Sequence, residues 1–152
     1  MTMRLGELVA FYETLTPSSL ARLAELYAPD ARFRDPFNDV RGADAIEAIF
    51  RHMFEQALEP RFVVDERFVG EGTAVLAWTF HYRMRRWRPQ QPRTIRGLSH
   101  LRFDADGRVT EHCDHWDSAE QLYMKLPLLG GLMRALRRML AAPQPRRGSD
   151  GA

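Results

Sequence analysis

The chain has 152 residues, of which 45% are hydrophobic and 28% are charged, a composition typical of one globular domain with its own core. No apolar run reaches the roughly 18 residues of a transmembrane helix, and the single cysteine, Cys113, excludes an internal disulfide framework. From Glu120 onward, six basic and two acidic residues leave the tail basic and the body nearly neutral, which argues against a nucleic-acid partner.

The N-terminal residues give information on the cellular compartment of the protein. Residues 1–7 lack the apolar core and the small-residue cleavage site of a signal peptide. We therefore expect a cytoplasmic protein, whose basic tail leaves room for contact with an anionic surface.

Three helices are predicted in the first third of the chain. Residues 4–15 carry apolar side chains at helical spacing, and a second stripe follows at residues 20–27. Between them, Thr16 suits a helix cap and Pro17 suits the first helical turn. The third helix is expected over residues 43–58. Its apolar face consists of Ile46, Ile49, Phe50, Met53 and Phe54.

The middle of the chain changes to the alternating pattern of β-strands. Residues 31–35 alternate like a short strand, with Phe33 and Asp35 on one side. Turn signals separate the later runs by short links, so we expect antiparallel pairing. Helices segregated from an antiparallel sheet define an α+β domain. The four longer runs are residues 62–69, 74–85, 94–103 and 109–116.

The chain returns to helix after the predicted sheet. Ser118 is expected to cap a helix that starts near Ala119, and Pro127 begins an amphipathic helix. That helix could close the pocket as a lid, form a dimer contact, lie on an anionic membrane, or pack on its own domain. We expect residues 1–142 to form one domain and residues 143–152 to form a disordered tail. The apolar stripe of the helix consists of Leu129, Leu132, Met133 and Leu136.

The run at residues 74–85 separates two faces, because neighbouring side chains on a strand point in opposite directions. Its large apolar side chains share one side, which we expect to face the helices. Such an aromatic face either fills a core or lines a cavity. These side chains are Leu76, Trp78, Phe80 and Tyr82.

Asp35 is the first candidate for chemistry. It shares a side with Phe33 in a strand that should bury that side, and a buried carboxylate is costly unless it is paired or reaches water. Burial of this kind is how enzymes tune a carboxylate into a general base. The alternative is a loop carboxylate that caps Asn38 or pairs with Arg41.

The string His112-Cys113-Asp114-His115 invites comparison with a metal site. His112 and His115 point to opposite faces of a strand, however, so the two imidazoles cannot bind one ion. We therefore expect neither a metal nor an organic cofactor.

Four segments, in this order, resemble the nuclear transport factor 2-like superfamily, and within it the SnoaL-like and ketosteroid-isomerase-like proteins. They are Phe11-Tyr12, residues 26–36, residues 42–46 and the closing hairpin of residues 99–109. The resemblance spans residues 5–117. It implies an α+β fold with a cone-shaped, bent antiparallel sheet wrapped around the N-terminal helices (the cystatin-like roll) and an extra C-terminal helix.

The resemblance also implies roles for single residues. Ketosteroid isomerases carry a proton-shuttling aspartate before a proline at the end of the first strand, which is the place of Asp35. A tyrosine on their first helix, matched here by Tyr12, donates a hydrogen bond to the developing enolate oxygen. Their second donor is a protonated aspartate, where this chain has Ser99.

Polyketide cyclases and epoxide hydrolases of the superfamily use an acid on the last strand, which makes Asp114 a second candidate acid or base. His112 shares the face of Asp114 and could pair with it. The alternative is a buried pair satisfied by Arg61 or Arg67, without catalysis. The residues expected to line the pocket are Phe33, Phe50, Trp78, Phe80, Tyr82, Leu101 and Trp116.

The resulting prediction is a pocket protein for a small apolar molecule. It is an isomerase or cyclase that uses Asp35 to move a proton on a polyketide-, steroid- or lipid-like substrate. The alternatives are a non-catalytic ligand-binding or dimerising scaffold of the same fold, and a membrane-peripheral protein. The family commonly dimerises through the outer sheet face, where we expect His81, His100 and His115.

Overall fold

The computed structural model describes residues 2–122, 125 and 127–141. The expected disordered tail at residues 143–152 lies outside this part of the chain. The helices are α1 (Thr2–Glu13), a 3₁₀ segment (Pro17–Arg22) followed directly by α2 (Leu23–Leu26), α3 (Ala43–Gln56), α4 (Ser118–Gln121) and α5 (Pro127–Leu140). The strands are β1 (Tyr27–Arg34), β2 (Asp39–Arg41), β3 (Ala57–Gly70), β4 (Thr73–Met84), β5 (Arg93–Phe103) and β6 (Val109–His115).

Thr16 and Pro17 begin the 3₁₀ segment as the sequence predicts. The Ser19 amide donates to the Thr16 hydroxyl over 3.2 Å, and the Thr16 amide donates back to the Ser19 hydroxyl over 3.0 Å. This reciprocal pair satisfies two amides that a helix end otherwise leaves open. The chain direction between α1 and α2 is therefore fixed locally.

Six strands form one sheet in the order β2-β1-β6-β5-β4-β3. The expected α+β class is confirmed, and the meander from β3 to β6 is antiparallel throughout. The expectation of a wholly antiparallel sheet needs one correction, because β1 pairs with β6 in parallel. The return of β6 beside the N-terminal strand also brings residues about 80 positions apart in sequence next to one another, such as Phe33 and His112.

β1 begins at Tyr27, whereas the sequence pattern suggested residue 31. The helical stripe before it ends at Leu26, since the α2 cap residue Tyr27 already has extended backbone angles. Tyr27 therefore enters the sheet with a fully buried side chain. This earlier start proves important for the site.

The apolar face of the sheet packs against α1, α2 and α3. Leu76, Trp78 and Tyr82 on β4 are buried there and Phe80 is partly buried, in agreement with the predicted faces. Burial of such side chains stabilises a fold by roughly 1.5–3 kcal/mol each, before the loss of chain entropy is counted.

The chain divides into two compact units, one ending at Trp116 and the other beginning at Asp117. In the second unit, the Glu120 amide donates to Asp117 Oδ1 over 2.9 Å, so Asp117 caps α4 rather than Ser118. The expectation of one domain over residues 1–142 stays a prediction. In the described ranges, no helix is both long enough and apolar enough to cross a membrane.

Candidate functional site

His112 and Asp114 lie two positions apart on β6, so their side chains share the inner face of the sheet. On the neighbouring strand β5, Ser99 is paired directly with Asp114, and Leu101 with His112. The alternation of two adjacent strands therefore brings a hydroxyl, a carboxylate and an imidazole together. Ser99 and His112 are both buried.

These three side chains form a hydrogen-bonded cluster. His112 Nε2 lies 2.7 Å from Asp114 Oδ1 and 3.2 Å from Ser99 Oγ. The Ser99 hydroxyl donates to Asp114 Oδ1 over 2.5 Å and accepts from the Trp78 indole N–H over 2.8 Å. Within the described residues no hydrogen bond reaches the other carboxylate oxygen, Asp114 Oδ2, which is left free to accept a proton.

Two tyrosines complete the cluster on the other side of the imidazole. The Tyr27 hydroxyl lies 2.6 Å and the Tyr12 hydroxyl 3.1 Å from His112 Nδ1, and the two hydroxyls are also hydrogen bonded to each other. Burial raises the pKa of Tyr12 well above its ordinary value and also raises that of Tyr27. Both phenols therefore stay neutral and keep their hydroxyl protons.

One placement of the protons satisfies all of these contacts. If His112 carries its proton on Nε2, it donates to Asp114 and accepts at Nδ1 from Tyr27, which in turn accepts from Tyr12. From the other side, Trp78 donates to Ser99, which donates to Asp114. Both branches end on the same carboxylate oxygen, Asp114 Oδ1.

A small cavity of about 20 Å³ lies against this network. Its volume is enough for about one water molecule, and it is far below that of a drug-sized ligand site. Tyr12, Ser99, His112 and Asp114 line it, which places four of the five predicted catalytic residues together. Its apolar lining consists of Phe50, Phe62, Val64, Leu76 and Trp78.

Of the residues predicted to line the pocket, Phe50 and Trp78 do so, and the other five do not. Phe33 packs behind the site against the His112 ring, with 4.7 Å between ring centres, and Leu101 is fully buried. Phe80 and Tyr82 stack on one another further along β4, at 5.0 Å. Trp116 contacts Phe37. Most of the aromatic face therefore fills the core.

Asp35 requires the main correction. β1 ends at Arg34, and the Asp35 carboxylate accepts hydrogen bonds from the amides of Phe37 and Asn38, both over 2.7 Å. The Asn38 side chain donates to it as well. Asp35 thus closes a short loop, as the alternative interpretation held, and it is absent from the lining of the cavity. The geometry moves the candidate base from β1 to β6.

The remaining expectations for the site concern charge partners and metals. Among the described residues, neither Arg61 nor Arg67 forms an ion pair with Asp114, so the alternative of an arginine-satisfied pair is wrong: Asp114 is hydrogen bonded to Ser99 and His112 instead. No group of three or more His, Cys, Asp or Glu side chains is placed to hold a metal ion in this same part of the chain.

Tyr27 is the member of the cluster that the sequence analysis missed. The apolar spacing placed it at the end of a helix, where a tyrosine contributes a ring to packing. The available signal was its hydroxyl group on the buried side of that stripe, because a buried tyrosine hydroxyl needs a polar partner. The partner, His112, is 85 residues away along the chain.

Solved structures with the same fold support this architecture. An NTF2-like protein of unknown function from Burkholderia pseudomallei gives a TM-score of 0.68 at 23% identity, covering 79% of this chain and 95% of that one. A hypothetical protein with a ketosteroid isomerase-like fold from Catenulispora acidiphila, solved with trimethylamine, gives 0.66 at 12% identity, covering 78% and 88%. A protein named provisionally as a SnoaL-like polyketide cyclase from Shewanella denitrificans gives 0.65 at 23% identity, covering 80% and 98%.

At these identities the structural likeness establishes the fold alone. A search of curated proteins finds no match. A family model described as a SnoaL-like domain matches residues 8–112, which include the second half of α1, the whole of β1 to β5, and β6 as far as His112. Since this match covers well over half of the chain, the protein belongs to the family of SnoaL-like domains.

Proposed function

We propose that this protein is an acid–base enzyme that needs no cofactor, and that Asp114 moves the proton. The substrate is a small, mostly apolar molecule with a polar handle, such as a polyketide-, steroid- or lipid-like compound. One observation carries the proposal: Asp114, whose Oδ2 atom receives no hydrogen bond from any described residue, lines a cavity whose other walls include Phe50, Phe62, Val64, Leu76 and Trp78. Such a group is an effective base because little water competes for it.

The chemistry best suited to this arrangement is proton transfer next to a carbonyl group. Asp114 Oδ2 accepts a proton from the carbon beside the carbonyl, and the Tyr12 hydroxyl turns from Tyr27 to donate its hydrogen bond to the oxygen that becomes negative. The proton then returns from Asp114 to another carbon, or the enolate attacks a second carbonyl carbon of the same molecule and the resulting alkoxide takes the proton from Asp114. Ser99 and His112 hold the carboxylate in place through both steps.

The size of the cavity sets a condition on this proposal. About 20 Å³ admits a water molecule, so a substrate must displace aromatic side chains to enter. Phe50, Phe62 and Val64 also line the cavity, and Phe62 and Val64 are only partly buried. We propose that rotation of the Phe62 side chain enlarges the site.

Hydrogen exchange of an enolisable ketone tests the proposal without knowledge of the natural substrate. 2-Indanone in D₂O, followed by proton NMR, reports removal of the α-proton directly. We expect the wild-type protein to accelerate exchange and Asp114→Asn to lower the rate at least about 100-fold, the low end of general-base effects. Asp35→Asn is the matched control, since it changes an aspartate outside the cavity in the same way.

Two results would count against Asp114 as the base. One is an Asp114→Asn variant that exchanges protons at the wild-type rate. The other is an Asp35→Asn variant that loses the activity while Asp114→Asn keeps it, which would restore the base predicted from the family resemblance. A circular dichroism spectrum of each variant controls for unfolding.

The small volume of the cavity favours a second candidate, a non-catalytic scaffold of the same fold. If aromatic side chains close the cavity permanently, no apolar ligand enters and the polar cluster acts only to stabilise the core. Binding of 8-anilinonaphthalene-1-sulfonate separates the two. Saturable binding weakened by Phe62→Trp supports a pocket that opens, and a native protein that binds no probe supports the scaffold.

The proposed assembly is a homodimer through the outer sheet face. His81, His100 and His115 alternate with the inner-face residues, and Phe68 and Leu98 are exposed large apolar side chains on the outer face. Exposed apolar clusters of this kind often mark interfaces. Light scattering should give a dimer mass that Leu98→Glu reduces to that of a monomer; a monomeric wild-type protein would contradict the assembly.

Contact of α5 with an anionic membrane is proposed on the charge and exposure of that helix. Its residues include three arginines and no acid, and Leu128, Leu132 and Met139 are exposed. At 14 residues it suits a position in the membrane surface. The full chain should sediment with phosphatidylglycerol vesicles and not with phosphatidylcholine vesicles, and Leu132→Glu should prevent it where Leu98→Glu does not.

A further inference from the structure

Arg93, the first residue of β5, is a buried arginine that forms no ion pair with any acid in the part of the chain that the structure describes. Only 7% of the residue is exposed, and its Nε atom is buried with no hydrogen-bond acceptor. The group donates no hydrogen bond to any residue in the part of the chain that the structure describes. Buried charges in proteins are normally paired and hydrogen bonded, because removal from water is costly. This guanidinium therefore lacks an acceptor that a ligand could supply.

The neighbours of Arg93 leave its hydrogen-bonding edge open. The guanidinium lies over the Trp87 ring, 4.3 Å from the ring centre, in a cation–π contact that uses only the flat face of the group. Tyr82 lies directly across the strand pair from Arg93. Neither aromatic neighbour provides the planar pair of oxygens to which the N–H groups of arginine are best suited.

A groove of about 440 Å³ adjoins Arg93 and has an excess of positive charge. Its lining includes Arg61, Arg83 and Arg93 together with His81. The one acid in the lining, Glu59, already receives a hydrogen bond from Arg83 over 2.7 Å. Arg61, His81 and Arg83 lie on the outer face of the sheet, so the groove attracts an anion towards the end of β5 but does not itself hold the apolar chain, which lies on the inner face.

A row of aromatic rings connects Arg93 to the acid–base cluster along the inner face. Tyr82 stacks on Phe80, and Phe80 stacks on Phe62 with 4.4 Å between ring centres. Phe62 meets Trp78 at 5.9 Å, and both of these rings line the cavity. Trp78 and Tyr82 are four residues apart on β4, a distance of about 13 Å along a strand.

We propose that Arg93 binds the anionic end of an elongated apolar ligand whose other end lies beside Asp114. The end group is a carboxylate or a phosphate, and the apolar body lies along the aromatic row. This inference rests on the proposed function of the pocket and narrows its substrate to amphiphilic acids of about this length.

Three probes with the same apolar chain test the anion directly: decanoate, decyl phosphate and decanol. Binding to the full-length protein is measured by tryptophan fluorescence, to which Trp87 and Trp78 both contribute. We expect the wild-type protein to bind an anionic probe at least about tenfold more tightly than decanol, the effect of one charge-assisted hydrogen bond. The anion that binds more tightly, decanoate or decyl phosphate, identifies the charged end group of the ligand.

Arg93→Gln should weaken the binding of the anionic probes about tenfold and leave the binding of decanol unchanged. Arg67→Gln is the matched control, because Arg67 is an exposed arginine of the same sheet. If Arg93→Gln does not fold, the Nε–H resonances of the wild-type arginines provide the second measurement, and one resonance should shift on addition of the anion. A wild-type protein with no preference for anions, or an Arg93→Gln variant that keeps it, overturns the proposal.

Failure of this inference is distinguishable from failure of the proposed enzyme. Asp114→Asn should abolish ketone exchange and leave the preference for anions intact. If exchange occurs without any preference for anions, Arg93 has no role in binding and the enzyme stands. If the anions bind through Arg93 and no ketone exchanges its protons, the pocket binds a ligand without catalysis. The enzyme proposal then fails and the binding proposal stands.

Discussion

His112 Nε2 lies 2.7 Å from Asp114 Oδ1, although the two residues are separated by only one position on a strand. The imidazole is nearly inaccessible at 3% exposure, whereas the Asp114 side chain is 18% exposed. His112 is therefore the inner member of the pair and Asp114 the outer one, at the cavity wall. In the proposed enzyme, this order makes His112 a positioning residue that orients the Asp114 carboxylate towards the substrate.

His112→Ala should destabilise the protein by about 2–4 kcal/mol. The change leaves two buried tyrosine hydroxyls and one carboxylate oxygen short of a partner, and it opens a space in a packed core. Urea unfolding followed by circular dichroism measures the loss. The exposed His52→Ala provides the comparison and should change stability by less than about 0.5 kcal/mol. Equal effects of the two changes would contradict the buried network.

The two buried tyrosines of the His112 cluster make the free energy of unfolding depend on alkaline pH, and the raised pKa of the buried Tyr82 acts in the same direction. Burial raises the pKa of Tyr12 and of Tyr27 in the folded protein, so above about pH 10 the folded chain holds protons that the unfolded chain releases. The free energy of unfolding therefore falls as pH rises above 10, by about 1.4 kcal/mol per pH unit for each tyrosine. Urea titrations between pH 9 and 11 should show this fall.

Tyr27→Phe removes one of these groups and should reduce the slope by about 1.4 kcal/mol per pH unit. The variant also loses a buried hydrogen bond to His112, so its stability at pH 7 should be lower by roughly 1 kcal/mol. A variant with the wild-type slope would mean that the Tyr27 phenol ionises normally in the folded state.

Most of the fold could be predicted because its signals are local. The apolar face of β4, the turns of the meander and the Thr16 cap each depend on a few neighbouring residues, and the structure confirms them. The parallel pairing of β1 with β6 could not be read in this way. This pairing depends on contacts between residues about 80 positions apart in the sequence, such as Phe33 and His112.

The site was predicted in part for the same reason. The common face of His112 and Asp114 follows from strand alternation, whereas Ser99 was predicted only through the family resemblance. Asp35 was placed inward by continuing the alternation one residue too far, past the end of β1 at Arg34. The Asp35 carboxylate instead accepts hydrogen bonds from two backbone amides of the loop that follows. This is a local turn of four residues, which the alternation of apolar residues does not reveal.

Asp35→Ala should destabilise the protein by about 1 kcal/mol through loss of the loop hydrogen bonds. Asp35→Asn keeps an oxygen that can accept from the same amides, so it should stay within about 0.5 kcal/mol of the wild type. Thermal unfolding of the three proteins checks the order. If Asp35→Asn loses as much stability as Asp35→Ala, the negative charge of Asp35 stabilises the loop, and an uncharged oxygen in the same place does not.

Gly97 on β5 is required by the position of the Trp78 ring. A Cβ atom at residue 97 would lie 2.6 Å from two atoms of that ring and 2.9 Å from the His115 carbonyl oxygen, so the indole must move. Gly97→Ala should cost about 1–3 kcal/mol through overpacking, and it should disturb the 2.8 Å bond from Trp78 to Ser99. Tryptophan fluorescence and urea unfolding report the two effects.

Trp78→Leu in the same chain removes the ring that the new methyl group would strike. The double variant Gly97→Ala, Trp78→Leu should therefore lose less stability than the sum of the two single variants, by at least about 0.5 kcal/mol, as expected for residues in direct contact. Additive losses would show that the alanine acts on the backbone near His115 instead. In that case the ring is free to adjust, and the cavity wall beside Ser99 is more mobile than its packing indicates.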